Sequence, residues 1–327
     1  MSILALQAQN TCTEQLRIAQ RSFDDGQLDG IPTMLSDCMK SGFTNEEKAN
    51  AYKLLIQTYL FSEKIQEADE VMMQFLSEFP SYSIAVNDPK EFISLYNTYR
   101  TTPIFKLEVL GGLRLGFPFV SEDFSASPGN SDIPEYFMGA GFGLEANYIN
   151  IITGNFSYSA GLSFTYLSTG YWDEPYYYST IEATFWNMYT GIPLSIRYDY
   201  DFRGLNLFAI AGIEPVYLVN SRMDFTRTDN IIGREPITGV ENLTFYHRKM
   251  DVRPFFGAGI YVNLGRDQLT ASINYKFSTI NQIDENNYLS NWTLNEKYLA
   301  IEDELFINQL SFSISYIRPI YNPKKIR

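Results

Sequence analysis

Histidine and cysteine are almost missing from this 327-residue chain, which has one His, His247, and two Cys, Cys12 and Cys38. That set cannot build a zinc site from the usual nitrogen and sulfur ligands. Basic residues are also short, with 25 Lys and Arg against 38 Asp and Glu, so the net charge of −13 leaves no electrostatic footprint for nucleic acid. No apolar run reaches the roughly 18 residues that a membrane helix needs, and such a helix is excluded. A β-barrel is not, because its lipid-facing residues alternate with polar ones. The acidic stretches Ser121-Glu122-Asp123 and Glu302-Asp303-Glu304 lack the spacing of a calcium loop and read as solvated loops. There is no phosphate-cradling glycine loop; Gly139, Gly141 and Gly143 fall within a strand pattern. No metal and no cofactor is expected. His247, between Tyr246 and Arg248, has no nearby partner pattern for nucleophilic catalysis and reads as a solvated rim residue, so no catalytic residue and no enzyme is expected.

Aromatic residues are plentiful instead, at 16%, with 24 Tyr and 24 Phe. The mean hydropathy is −0.18. Residues 1–9 read as the residual tail of a signal peptide, with Leu6-Gln7-Ala8 as a passable cleavage site. An even pair of cysteines behind an export signal favours a disulfide between Cys12 and Cys38.

Residues 10–102 carry helical periodicity. Helices are expected over Cys12–Phe23 and Gln27–Lys40, from Thr44-Asn45-Glu46-Glu47 to Phe61, over Ile65–Phe79 and from Asp88-Pro89 onward. In the middle pair Tyr52, Leu55, Tyr59, Ala68, Met72, Phe75 and Pro80 follow the large–small order of a tetratricopeptide repeat, with Ala68 permitting close approach of two helices. Ala19, Gly26, Ile31, Leu35 and Cys38 form a looser copy. An ordinary helical hairpin stack is the alternative, and either way the domain reads as a docking module.

From Pro103 the period becomes two. Eight alternating segments run over about 104–120, 134–149, 155–171, 180–200, 204–221, 246–264, 268–281 and 303–320. Connections at 121–133, 172–179, 222–245 and 282–302 are long, and those at 150–154, 201–203 and 265–267 are short. Even strand number with short turns on one side and long loops on the other marks an outer-membrane barrel entered from the periplasm. A soluble eight-stranded carrier would point its apolar residues inward. Here Phe156, Tyr158, Leu162, Phe164 and Tyr166 oppose Ser157, Ser159, Gly161, Ser163 and Thr165, and the bulky set is too large for an eight-stranded interior. Lys106, Glu108, Arg114, Glu145, Arg197, Glu214, Asp251, Arg253 and Lys276 all fall on the small polar face. They are expected to form an ion-pair network in a packed lumen, because each Arg or Lys facing the bilayer midplane costs about 2–4 kcal/mol. Tyr171-Trp172, Tyr176-Tyr177-Tyr178, Trp292 and Tyr298 are expected near the outer interface, and Tyr148, Tyr198, Tyr200, Tyr316 and Tyr321 near the periplasmic one.

The junction Asn87-Asp88-Pro89-Lys90-Glu91-Phe92, then Tyr99-Arg100-Thr101-Thr102-Pro103-Ile104-Phe105 leading to Gly111-Gly112-Leu113-Arg114-Leu115, resembles PorT-like outer-membrane barrel proteins of Bacteroidetes. The resemblance implies a barrel without catalytic residues, in a group whose members include parts of gliding and secretion machinery. The chain departs from the usual aromatic end of such barrels, since Tyr321 is followed by Asn-Pro-Lys-Lys-Ile-Arg. The expected fold is α+β and multidomain: a leader remnant at 1–9, a periplasmic TPR-like helical domain at 10–102, and an eight-stranded antiparallel transmembrane β-barrel at 103–327. The expected partners are outer-membrane lipid and a protein of an envelope complex bound through residues 10–102, for secretion, motility or assembly. A surface-binding protein acting through loops 222–245 and 282–302 is the alternative, and a lipid-modifying barrel enzyme centred on His247 the weaker third reading.

Overall fold

The computed structural model describes residues 3–122, 135–176, 178–284, 287, 290–297, 300 and 302–326. Tyr177, Tyr298 and Asp123, singled out in the sequence, lie outside the described residues, as do Met1 and Ser2. The chain divides into two compact units: Met1–Ile104 with Ile320–Arg327, and Phe105–Pro319.

The first unit holds α1 (Ile3–Asp24), α2 (Ile31–Lys40), α3 (Asn45–Phe61), α4 (Ile65–Glu78) and α5 (Lys90–Tyr96). Helix α1 starts well before the expected Cys12, so residues 3–9, read as leader remnant, are helical. Helix α2 starts at Ile31 instead of Gln27, with Pro32 in its first turn, where a missing N–H costs nothing. Thr44 caps α3 through a reciprocal box with Glu47. Tyr52, Ala68, Met72 and Phe75 meet in one core with Phe92, Tyr96 and Tyr99, and Tyr59 packs at its margin. Leu55 faces the other way, into a second core with Ala19, Ile31, Leu35 and Leu54. Phe75 is the hub of the first core, meeting Tyr52, Tyr82 and Phe92 edge-on with centroids 5.9, 5.0 and 5.3 Å away. Beside it, the Lys53 ammonium lies 2.7 Å from Asp88, which also accepts from the Tyr82 hydroxyl and the Ala85 amide. Burial pushes the Asp88 carboxyl up, but these donors outweigh it and hold the group below the usual carboxylate range.

Cys12 and Cys38 are bonded, joining α1 to α2 across 26 residues. Closing a loop of that size removes denatured-chain entropy corresponding to about 3.5 kcal/mol. Reduction of the full chain, or Cys12→Ser with Cys38→Ser, is expected to lower the unfolding free energy of this unit by about 2–4 kcal/mol and to leave the barrel's heat-modifiable gel migration unchanged. Circular dichroism at helical wavelengths, with and without reductant, checks it.

The last residues of the chain complete the same unit. The Arg100 amide donates to the Lys324 carbonyl at 2.9 Å and the Ile326 amide to Thr98 at 2.7 Å, with Tyr99 and Lys325 paired antiparallel between them. The Lys325 ammonium reaches Asp69, which also accepts from the Tyr99 hydroxyl.

The second unit is a closed antiparallel sheet. Its strands are β1 (Phe105–Glu122), β2 (Glu135–Phe137), β3 (Gly139–Thr153), β4 (Phe156–Tyr176), β5 (Ser179–Gly191), β6 (Leu194–Phe202), β7 (Leu205–Asp229), β8 (Ile237–Asn242), β9 (Met250–Leu264), β10 (Asp267–Lys276) and β11 (Glu304–Ile320). Pairing runs β4–β3–β1–β11–β10–β9–β7–β5 and returns from β5 to β4, and β6 continues β5 between β4 and β7. Among the described residues this is a ring of eight positions, and β2 and β8 extend it at one end. The expected strand 180–200 is interrupted at Ile192-Pro193, because proline has no N–H for the ladder.

Two-residue turns close the other end. Arg203 and Gly204 both take positive φ, 52° and 84°, between the paired Phe202 and Leu205, as a type I′ turn requires. Gly265, at 66°, opens the turn between Leu264 and Asp267. Three expected features at the loop end need correction. Residues 172–179 are no long loop, since Tyr176 pairs with Ser179. Residues 222–245 are mostly a hairpin, with β7 reaching Asp229 and β8 pairing back along Arg222–Arg227. The strand expected over 268–281 stops at Lys276.

Candidate functional site

Alternation places side chains on the two faces of the ring. On β4, Ser157, Ser163 and Thr165 are buried, whereas Phe156 and Tyr158 are exposed and Leu162 is 67% exposed. On β11, Ser311, Ser313 and Ser315 are buried while Ile314 is 64% exposed. Arg114 is 0% exposed, and Arg197, Glu214, Arg253 and Lys276 are buried with it. Charge is enclosed and greasy bulk is outside, a surface matched to hydrocarbon and not to water.

The enclosed charges form separate groups. The Lys276 ammonium lies 2.6 Å from Glu214 and 3.1 Å from Glu145, and Arg114 lies 3.2 Å from Glu145. Arg114 also donates to Ser313 at 2.7 Å, and Ser163 donates to Glu214. Gly143 makes room for this: a Cβ there would come within 2.5 Å of the Arg114 Nε. Arg253 pairs with Asp251 at 2.9 Å and lies 4.1 Å over the Tyr189 ring. Arg197 pairs with Asp199 at 2.7 Å and lies 3.8 Å over Phe208. Glu108 accepts from Asn147 and Ser315 and joins no ion pair among those described. Lys106 likewise stands apart from the Lys276 group, so the nine expected residues are not one network.

Sequence reading passed over Asp199, which the inward parity of β6 would have found. With it, Arg197 has the carboxylate that pairs with it. The cavity beside the Lys276 group, lined in part by Glu145, Asn147 and Arg197, has a volume of about 40 Å³. That holds a water or a few and no solute.

Toward the loop end the sense of the alternation reverses. On β4 the outward run of apolar residues, Phe156 to Tyr166, spans eleven residues, close to the 9–11 or so that cross a bilayer. Beyond it Ser168 and Gly170 face out, and Leu167 and Tyr171 are buried. On β7 the outward series changes from Tyr217 and Val219 to Arg222, Asp224 and Thr226, while Met223 and Phe225 go inside. An extra residue sits at that point, since Tyr189 pairs with Leu218 and Met188 with Asn220. Tyr171, Ile181, Phe185, Met223, Phe225 and Leu294 make an apolar core there, of the kind found in water-soluble sheets. Tyr171 therefore points inward and not to the interface. The aromatic pair at the boundary is Tyr166 and Trp186, stacked at 5.3 Å. Tyr148, Tyr198, Tyr200 and Tyr316 are exposed toward the turn end.

His247 is not a solvated rim residue. It is 3% exposed and both ring nitrogens are engaged. Gln282 donates to Nδ1 at 3.0 Å, which fixes the Nε2–H tautomer that donates to Glu302 at 2.7 Å. Gln282 also reaches Asn187, which accepts from Ser221 at 2.7 Å. The polar string ties Gln282 and Glu302, through His247 and Asn187, to the ring wall.

No protein-family model matches the chain, and comparison with curated protein sequences finds no relative. Among solved structures, the Neisserial surface protein A is similar at 11% identity and a TM-score of 0.30, covering 64% of this chain and 95% of its own. The attachment invasion locus protein Ail of Yersinia pestis, solved with the heparin analogue sucrose octasulfate, is 12% identical with a TM-score of 0.30, covering 65% and 98%. The outer membrane protein AlkL in lipid bilayers is 15% identical with a TM-score of 0.31, covering 66% and 92%.

Proposed function

We propose that the chain is a non-enzymatic outer-membrane anchor. Its barrel spans the membrane with the short turns in the periplasm, and its helical unit docks there a protein of a secretion, motility or assembly complex. The observation that carries the reading is a barrel filled by ion pairs and capped by an apolar core, joined in sequence to a helical unit with two cores of its own. A filled ring of eight positions has no conduit to offer, whereas stacked helical pairs are a common docking scaffold. The chain enters β1 at the turn end, which favours a periplasmic helical unit. Engagement of both His247 nitrogens favours a structural role over lipid modification. The TPR-like order around Tyr52, Ala68 and Phe75 and the PorT-like junction point the same way.

The test is purification of the full chain from native membranes in mild detergent after in-cell crosslinking from Glu67 and Glu70 on α4. A stoichiometric envelope partner crosslinked at these positions is expected, and recovery of the chain alone would overturn the docking role.

A further inference from the structure

Above the Tyr166–Trp186 pair, five strands lie side by side, in the order β2, β4, β5, β7, β8. One outward row of that sheet is Phe137, Gly170, Thr184, Asp224 and Val240, each paired with the next. The adjoining row sets Trp172 beside Glu182 and Glu182 beside Thr226. Gly170 has no side chain and Thr184 a short one, while Phe137 and Val240 stand exposed on the flanking strands. The result is a shallow, open trough of about 670 Å³.

We infer that this trough binds a neutral saccharide. Trp172 and Phe137 offer flat apolar faces for the C–H side of a sugar ring, and the Thr hydroxyls and Glu182 offer donors and acceptors for its hydroxyls. The charges argue against other ligands. The lining contains no Lys or Arg, and Arg222, outward on β7 beside it, is already paired with Asp224. Asp224 already accepts from the Trp186 indole at 3.1 Å and from Arg222 at 2.9 Å, which leaves Glu182 as the uncompensated lining carboxylate and makes a poor receiver for a polycation. Height fits as well. Thr184 lies two residues beyond Trp186 on β5, about 7 Å farther along the tilted strand, at the level of lipid headgroups. The ligand is either the sugar headgroup of a membrane glycolipid or a stretch of free polysaccharide. The inference does not depend on the docking role of the helical unit.

The test uses the full chain in lipid nanodiscs, with correct folding of each variant checked by heat-modifiable migration. Soluble neutral hexose and N-acetylhexosamine oligosaccharides form one arm, a neutral glycosyl diacylglycerol incorporated in the disc a second, and polylysine a third. Saturable binding is expected in the first or second arm. Trp172→Ala and Thr184→Tyr, which remove a wall and fill the floor, should each weaken it about tenfold or more. Binding in the first arm identifies a free polysaccharide and binding in the second alone a glycolipid. Capture of polylysine only, binding in no arm, or binding indifferent to both variants overturns the proposal.

Discussion

Lys276→Met in the full chain is expected to destabilise the barrel by about 3–5 kcal/mol, the range for breaking a buried ion pair from one side. The ammonium lies between Glu214 and Glu145 in the ring interior. Glu145 keeps Arg114, but among the described residues Glu214 keeps the Ser163 hydroxyl as its hydrogen-bond partner, with Arg253 acting on it at longer range. A methionine has almost the same length and offers no charge, so the loss measures an uncompensated carboxylate and not a cavity. The double variant Lys276→Met with Glu214→Gln should recover most of the loss, since two neutral groups of matching shape replace the pair. Urea unfolding in lipid vesicles, followed by tryptophan fluorescence, reads both. A single-variant loss under about 1 kcal/mol would mean that water reaches the pair and screens it.

Leu162→Arg is expected to cost about 2–4 kcal/mol in the same assay, because Leu162 stands on the outward face near the middle of the eleven-residue apolar run of β4. Thr228→Arg, outward on β7 beyond the reversal, should change stability by no more than about 0.5 kcal/mol. The contrast is the point: the same residue type on the same side of the same ring, with hydrocarbon outside one position and water outside the other. Equal effects would remove the membrane from the picture.

Legibility in the sequence followed that boundary. Where strands face hydrocarbon, large and small residues alternate with one sign, and β4, β9, β10 and β11 could be located from Phe156, Ile260, Ile273 and Ile314 and their polar neighbours. Beyond the boundary the sign inverts. Arg222, Asp224 and Thr226 then look like loop residues, although they face water from the middle of a strand whose other side carries Met223 and Phe225. The extra residue on β7 between Leu218 and Asn220 shifts the phase as well, so a simple period of two fails there. Pro193 hid the break between β5 and β6 because its neighbours keep the same parity. His247 looked solvated because its partners, Gln282 and Glu302, are 35 and 55 residues away in the chain. The helical unit was easier, since the Thr44–Glu47 cap and the spacing of Tyr52, Ala68 and Phe75 are local signals. Leu55 packs in the second core and not with Tyr52 and Phe75, because one helix carries two apolar faces.

Thr98–Arg100 and Lys324–Ile326 hydrogen-bond to each other, so segments before and after the strands of the ring belong to one unit, within which the ring is an insertion. The helices precede the strands of the ring in sequence and residues 324–326 follow them, so this unit is complete only when segments from both sides of the ring have come together.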